Sequence, residues 1–507
     1  MHVFVALNNC DAPIANISTK LTFMTKPPPK KVILIREIAK GLGADDALSQ
    51  YQDQVKLYPR AVGGWYARLR WVMVWVTQLV FYGTPWWQWN DRQAVLFDLS
   101  GNRFYIFGLV LPPQDLIYLA VLMVLAALTL FFFTALAGRL WCGYACPQTV
   151  YTEIFLWLER LAEGDRLARM RLDGARWSVE KVTRKSIKQI LWIGLSLVTG
   201  FTFVGYFTPI HDLSGELLSL SFSPWEWFWV LFYGFATYGN AGYLREQICK
   251  QMCPYARIQS ALTDMDSLVI AYDTERGEVR GSRSRAGDPK ALGLGDCIDC
   301  TLCVQVCPTG IDIRNGLQNE CIACAACIDV CDEVMVKMNY PVGLIRYSSG
   351  IGMAEKLTPG QMVKRVWRPR VWVYSVLLLA VTGGFIFGLS TRKGFAVDVI
   401  RDRGTMARET ANGDVENIYR LQIVNSTEQN QTYRTSVHGL PGLTLVTEPL
   451  LMVPATGIGS LTVRLTLPGS TAQNHVGKAV PISFQVRMTG RDPALLVEEK
   501  STFVLPR

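Results

Sequence analysis

Cys297-Ile-Asp-Cys300-Thr-Leu-Cys303-Val-Gln-Val-Cys307-Pro308 and Cys321-Ile-Ala-Cys324-Ala-Ala-Cys327-Ile-Asp-Val-Cys331-Asp332 carry eight of the chain's 13 cysteines. Each run has the spacing Cys-x2-Cys-x2-Cys-x3-Cys. Three closely spaced thiolates can hold three irons of a cubane, and the fourth ligand then comes from the other run because the chain folds back on itself. One 4Fe–4S cluster is therefore expected on Cys297, Cys300, Cys303 and Cys331. A second is expected on Cys321, Cys324, Cys327 and Cys307. Short-spaced cysteines in this order point to metal, not to the disulfide framework of a small secreted protein. Asp332 stands where the first run has Pro308, which puts a negative charge near the first cluster.

Two further pairs lie towards the amino terminus: Cys142-Gly-Tyr-Ala-Cys146-Pro147 and Cys249-Lys-Gln-Met-Cys253-Pro254. Both read Cys-x3-Cys-Pro, and each follows an apolar run. Cysteines four apart on one helix face have Cβ atoms ~5–6 Å apart, whereas a disulfide wants about 3.5–4.5 Å. In an unstrained helix a bridge across the pairs, or a shared soft-metal site for copper(I), zinc or iron–sulfur, is therefore easier than a bridge within a pair, with Pro147 and Pro254 placed to distort the turn. The repeat is expected to bring all four thiols towards one place, as a parallel membrane repeat does. Met252 is read as packing, and Cys10 is given no role.

Around these motifs the chain reads as a membrane protein. Of its 507 residues 50% are hydrophobic and only 18% charged, below the usual charged fraction of a soluble domain. Five apolar stretches reach the ~20 residues a span needs, near 66–84, 115–137, 187–208, 224–243 and 371–391. The run 104–111 is too short to cross and reads as re-entrant or interfacial. The net charge of +9 comes from Lys and Arg crowded beside apolar runs, so nucleic acid is not an expected partner. The 138–186 loop is rich in Arg and Lys, the 209–223 loop has none, and Lys364, Arg365, Arg368 and Arg370 precede the last span. The positive-inside rule then puts the amino terminus and residues 244–370 inside and the carboxyl terminus outside. Tryptophans 86, 87, 89, 225, 227 and 229 fit interfacial belts.

Residues 1–60 read as a cytoplasmic tail without a clean signal-peptide cleavage site, and Met24 offers an alternative start. After residue 391 stretches such as 419–425, 461–467 and 482–488 alternate at period two, and about seven strands are expected in a β-sandwich. The expected architecture is a multi-domain membrane protein. Residues 61–260 hold four transmembrane helices and the two Cys-x3-Cys-Pro motifs. Residues 261–365 form a cytoplasmic two-cluster ferredoxin-like domain. Residues 366–392 are the fifth helix, and 393–507 a periplasmic immunoglobulin-like β-sandwich. The four histidines, of which only His211 lies near an apolar run, do not support a bis-His membrane haem. No Ser/His/Asp set or Gly-rich phosphate loop is found.

The order of these parts resembles the CcoG/FixG/RdxA family of accessory proteins for the cbb-type cytochrome c oxidase. The resemblance covers roughly residues 55–507. It rests on Gly138-Arg-Leu-Trp-Cys-Gly-Tyr-Ala-Cys-Pro-Gln148, Gly205-Tyr-Phe-Thr-Pro209, Gln247-Ile-Cys-Lys-Gln-Met-Cys-Pro-Tyr255, the double cluster motif and the terminal sandwich. A membrane ferredoxin of the NapH type shares the first elements and lacks the sandwich. The resemblance implies a protein of the bacterial inner membrane that reduces copper(II) to copper(I). Electrons would come from a cytoplasmic donor, and copper(I) would go to copper chaperones or oxidase assembly proteins. Cys142, Cys146, Cys249 and Cys253 are the candidates for binding or relaying to copper. Two other readings use the same residues: a quinol dehydrogenase feeding a periplasmic reductase, and a non-enzymatic oxidase assembly scaffold.

Overall fold

A computed structural model describes residues 56–90, 92–285, 292–402, 407–410, 413–473, 476–489 and 495–506. Residues 1–55, and with them most of the expected tail, Cys10 and Met24, lie outside the described residues.

All five apolar stretches become helix. They are α1 (Trp65–Gly83), α2 (Leu116–Ala137), α6 (Val179–Val204), α7 (Pro224–Thr237, continuing as a π-helix Tyr238–Leu244) and α10 (Pro369–Ser390). Between α2 and α6 the chain forms α3 (Leu140–Tyr144), α4 (Pro147–Glu163) and α5 (Arg166–Gly174). After the second cysteine pair come α8 (Pro254–Leu262) and, in the ferredoxin-like region, α9 (Ala326–Met338).

Three of the five, α2, α6 and α10, are long and apolar enough to cross a membrane by length and composition. The 22 residues of α2 hold no charge and rise ~33 Å at 1.5 Å per residue, about the hydrocarbon thickness of a bilayer. Only 6% of its apolar stretch is buried inside the protein, and the same holds for α10. Such surface needs lipid, since soluble monomers rarely expose an apolar patch of that size. α1 is less apolar, with Arg68 and Arg70 in its first turns, and α7 is shorter, at 14 residues. α6 and α7 touch closely: a Cβ on Gly200 would lie 2.2 Å from the Val230 carbonyl oxygen. Small residues are what such helix contacts require.

The helices run between two ends. At one, Arg368 Nη1 donates to Asp264 Oδ1 at 2.7 Å, and the ferredoxin-like region caps α1. At the other, Arg392 Nη2 donates to the Val110 carbonyl at 2.7 Å and Asn90 Nδ2 to Glu428 Oε2 at 2.6 Å, so the α1–α2 connection meets the sandwich. The apolar run read as re-entrant or interfacial lies in this connection. It is β2 (Arg103–Ile106) and β3 (Leu109–Leu111), in a three-stranded antiparallel sheet with β1 (Val95–Asp98). Its turn is set by Asp98, whose Oδ1 accepts from the Gly101 amide at 2.8 Å.

The ferredoxin-like region is bracketed by β4 (Val269–Tyr272) and β5 (Ile345–Ser348), paired antiparallel with Val269 opposite Ser348. The carboxyl-terminal sandwich uses β6 (Phe395–Arg401), β7 (Arg408–Glu409), β8 (Val415–Asn425), β9 (Gln431–His438), β10 (Thr444–Leu445), β11 (Leu450–Val453), β12 (Ile458–Leu467), β13 (Ala479–Met488) and β14 (Leu496–Val504). One sheet has the order β10-β12-β8-β6, with β7 also on β8; the other is β11-β9-β13-β14. Alternate residues point inward, so Tyr419, Leu421, Ile423, Tyr433, Val463 and Phe484 are fully buried between the sheets. Tyr419 keeps its hydroxyl satisfied by donating to the Thr502 carbonyl at 2.9 Å.

Candidate iron–sulfur and thiol centre

The two cysteine runs bend in the same way. Asp299 and Thr301 flank Cys300 with φ of 51° and 55°, and Ala323 and Ala325 flank Cys324 with φ of 55° and 59°. Left-handed non-glycine residues cost ~1–3 kcal/mol each and persist only where the surroundings impose them. Here they turn the chain on both sides of the middle cysteine, so that three side chains of each run face one point. Two cavities result. Cys297, Cys300, Cys303 and Cys331 all line one, and Cys307, Cys321, Cys324 and Cys327 all line the other, with Cys303 in the shared wall. Cys331 thus faces the first run and Cys307 the second.

The donor set fits iron–sulfur clusters. Each cavity gathers its four thiols among mostly apolar walls, with Val334 and Met335 in the first and Ile270 and Ile311 in the second. Among the described residues no three His, Cys, Asp or Glu side chains converge closely enough to hold one metal ion. A lone zinc would draw its thiolates in to ~2.3 Å, whereas a cubane spreads them. Burial pushes the Cys303 thiol up to about 11, and those of Cys321 and Cys331 to about 12. Burial thus favours the neutral form of these three thiols, whose protons a metal must displace. Two arginines stand beside the sulfurs. Arg314 lines the first cavity and is paired with Asp312 at 2.7 Å and Asp299 at 2.5 Å. Arg70 of α1 is buried within electrostatic range of Cys324. Asp332 accepts a hydrogen bond from the Gly343 amide at 2.8 Å, which ties α9 to the following loop, and burial raises its carboxyl.

The paired motifs depart from the expectation that each pair shares one helix face. Cys142 lies in α3, but Cys146 is the extended N-cap of α4, with Pro147 in the first turn. Cys249 lies in a π-helical turn, Ile248–Met252, and Cys253 is the N-cap of α8, ahead of Pro254. Proline suits a first helical turn and cannot continue the preceding one, so the helix breaks between the two cysteines. The two motifs hold each other. Gln148 Nε2 donates to the Asn240 and Arg245 carbonyls at 2.9 and 3.1 Å, and Gln259 of α8 accepts from Cys142 Sγ at 3.2 Å. All four thiols are free and half-buried, and Cys249 is in electrostatic range of the other three. The repeat brings the thiols together as neighbours without converging them on a single-ion site.

The two centres meet. Cys142 and Cys249 pack into one apolar cluster with Ile322, Cys324, Ala326 and Cys327. Gly143 makes this possible, because a Cβ there would lie 2.7 Å from the Ile322 carbonyl oxygen. Tyr347 clamps the same loop by donating to the Ala323 carbonyl at 2.6 Å. Asp329, between Cys327 and Cys331, accepts from the amides of Tyr66 and Ala67 at 3.2 and 2.7 Å. It supplies the N-terminal cap that Gly64 cannot. The reading from sequence missed Asp329 and Gln148. The missing local cap before α1 was the available signal for the first.

Three family descriptions match the chain: "4Fe-4S dicluster domain" over residues 244–350, "4Fe-4S binding domain" over 119–163 and an Ig-like fold at the C-terminus of FixG over 385–506. "Nitrogen fixation protein FixG" of Rhizobium meliloti is 37% identical over 426 residues, covering 78% of this chain and 81% of that protein. "Protein RdxA" of Cereibacter sphaeroides is 38% identical over 404 residues, covering 78% and 84%. With 4Fe–4S domains, an Ig-like carboxyl-terminal domain and apolar helices in this order, the chain belongs to the FixG/RdxA family and is a membrane-associated electron-transfer protein.

Proposed function

We propose that this protein reduces copper(II) to copper(I) for assembly of the cbb-type cytochrome c oxidase. In this reading Cys297, Cys300, Cys303 and Cys331 hold one 4Fe–4S cluster, and Cys321, Cys324, Cys327 and Cys307 hold the other. A bound cubane supplies one electron at a time at a tuned potential. The observation that carries the reading is that Cys142 and Cys249 pack against the apolar cluster of Ile322, Cys324 and Ala326, which Cys327 also borders. Thiolates favour copper(I), so Cys142, Cys146, Cys249 and Cys253 stabilise the product of a one-electron reduction. Copper(II) gains one electron there and leaves as copper(I) to chaperones or to the oxidase.

All five helices cross the bacterial inner membrane, with the cluster end in the cytoplasm and the sandwich in the periplasm. Support comes from the Arg- and Lys-rich connections at the cluster end and their absence from 209–223. The exposed apolar face of α1, with Trp75, Leu79 and Val80, supports the same placement. To test the reading, anaerobically purified protein is reduced and mixed with copper(II) and a copper(I)-specific chelator. Reoxidation matched by trapped copper(I), lost in Cys142→Ser/Cys146→Ser, is the expected result. Reduced clusters that ignore copper(II) would sink the reading.

A further inference from the structure

A cavity of about 260 Å³ lies among α1, α4, α6 and α7, apart from the cluster cavities. Phe81, Phe203 and Tyr233 give it flat apolar walls. Its polar groups are few. The hydroxyls of Thr77, Thr199 and Thr237 each donate to a carbonyl of their own helix. Tyr82 bridges Thr199 Oγ1 at 2.7 Å and the Tyr151 hydroxyl at 3.4 Å. Gln78 Oε1 is buried and accepts no hydrogen bond within the protein. A buried acceptor left unpaired is destabilising, and a ligand hydroxyl would relieve that. An apolar, aromatic-walled cavity with one or two convergent polar groups is the usual form of a small-molecule site. This one lies among helices whose outer faces are apolar and exposed, so a ligand with a lipid-soluble tail can reach it.

Its end wall gives the ligand a purpose. Ala145 and Pro147, the two neighbours of Cys146, line it. Cys146 is in electrostatic range of Cys249, which packs against the apolar cluster that holds Ile322 and Cys324. The cavity is thus joined to the thiol and cluster centres by touching or neighbouring groups.

We propose that this cavity binds the ring of a lipid-soluble quinol, which serves as electron donor in place of a soluble cytoplasmic one. A quinol hydroxyl donates to Gln78 Oε1, and the aromatic walls hold the ring. One quinol gives up two electrons and two protons and leaves as quinone. The electrons reduce two copper(II) ions to copper(I) by way of the iron–sulfur centres, and the two protons pass to water. The balance is one quinol and two copper(II) to one quinone, two copper(I) and two protons. The inference rests on the electron-transfer reading proposed above and names its donor.

The test uses the full-length, cluster-loaded protein in nanodiscs. A photoreactive azidoquinone is mapped by peptide mass spectrometry, and reduction of the clusters by anaerobic menadiol is followed by absorbance. Labelling on α1 or on the first turns of α4, competed by menadione, is expected. Gln78→Leu and Thr237→Phe, the second of which fills the cavity, are each expected to slow reduction by menadiol at least tenfold. Dithionite reducing both variants to the wild-type spectrum shows that they are folded. Labelling only elsewhere, labelling displaced equally by phospholipid chains, or wild-type menadiol rates in both folded variants would overturn the proposal. If menadiol reduces the clusters through this site and no copper(I) forms, the quinol site stands and the copper reading fails.

Discussion

The cluster runs and the membrane-edge motifs are both duplications, yet they hold their thiols by different means. In the runs the backbone is forced into shape: four non-glycine residues sit in left-handed conformations, and each cavity takes a cysteine from the other run. In residues 142–146 and 249–253 no residue has positive φ. There Gln148 donates to the other half and Gln259 accepts from Cys142, and the second cysteine of each pair sits at a helix N-cap. A strained, interlocked backbone suits a site whose atoms must stay fixed while electrons pass. Thiols at helix ends, one beside a π-helical turn, can follow an ion whose preferred geometry changes with oxidation state.

The comparison breaks most visibly where the two regions touch. Gly143→Val drives a side chain into the Ile322–Ala323 backbone, where even a Cβ lies 2.7 Å from an oxygen. Displacing the motif by ~1 Å is expected to cut copper(I) formation on the order of 100-fold, with iron content kept. Gly174→Ala, where nothing lies within 4 Å of the added Cβ, should leave the rate unchanged. Iron assay and chelator-trapped copper(I) measure both, and equal rates in the two variants would refute the contact as the electron route.

The exchange of cysteines is the next feature to break. Cys331→Ser and Cys297→Ser should each lose about half the iron and leave the same residual paramagnetic spectrum. Cys307→Ser should leave a different one, shared with Cys321→Ser. A Cys331→Ser spectrum that matched Cys321→Ser would mean that each run keeps its own fourth cysteine.

Much of this was readable in advance, for local reasons. The eight cluster cysteines announce themselves because a cubane demands its thiols at fixed short spacings. The helices announce themselves by length and apolarity, and the sandwich by period-two alternation. The misreadings came from contacts distant in sequence or from breakers given too little weight. Pro147 and Pro254 end one helix and start another, which moved Cys146 and Cys253 off the face assumed for them. Residues 103–106 pair with 95–98 across the Asp98–Arg103 turn and with 109–111 on their other edge, a sheet that the apolar content of 104–111 alone does not announce. Asp329 lies 262 residues from the amide it caps, and no local pattern marks such a partner.

That cap gives a smaller effect. Asp329→Ala removes acceptors for two amides at the start of α1 and should cost about 1–2 kcal/mol. Asp329→Asn, which keeps one acceptor oxygen, should recover most of it. Thermal unfolding in detergent reads the difference, and identical Tm values for Ala and wild type would show that α1 does not depend on the ferredoxin-like region for its start.

The smallest effect is expected at the foot of α10, where the ferredoxin-like region meets the last helix through charge. Burial alone would raise the Asp264 carboxyl, but the Ser267 hydroxyl and the Arg368 and Arg370 guanidiniums outweigh it and hold the group below the usual carboxylate range. A carboxyl depressed in the folded state stabilises above its unfolded pKa of ~4, and that stability is lost as pH falls through the folded value. Asp264→Asn should therefore lower Tm slightly at pH 7, by less than ~2 °C given the partial exposure of the pair. The gap should begin to narrow as the pH drops below about 4 and close once the pH falls below the depressed folded value, where the wild-type carboxyl is neutral as well. A gap that persists unchanged into acid would assign the effect to packing, and would leave the contact between the two regions without an electrostatic component.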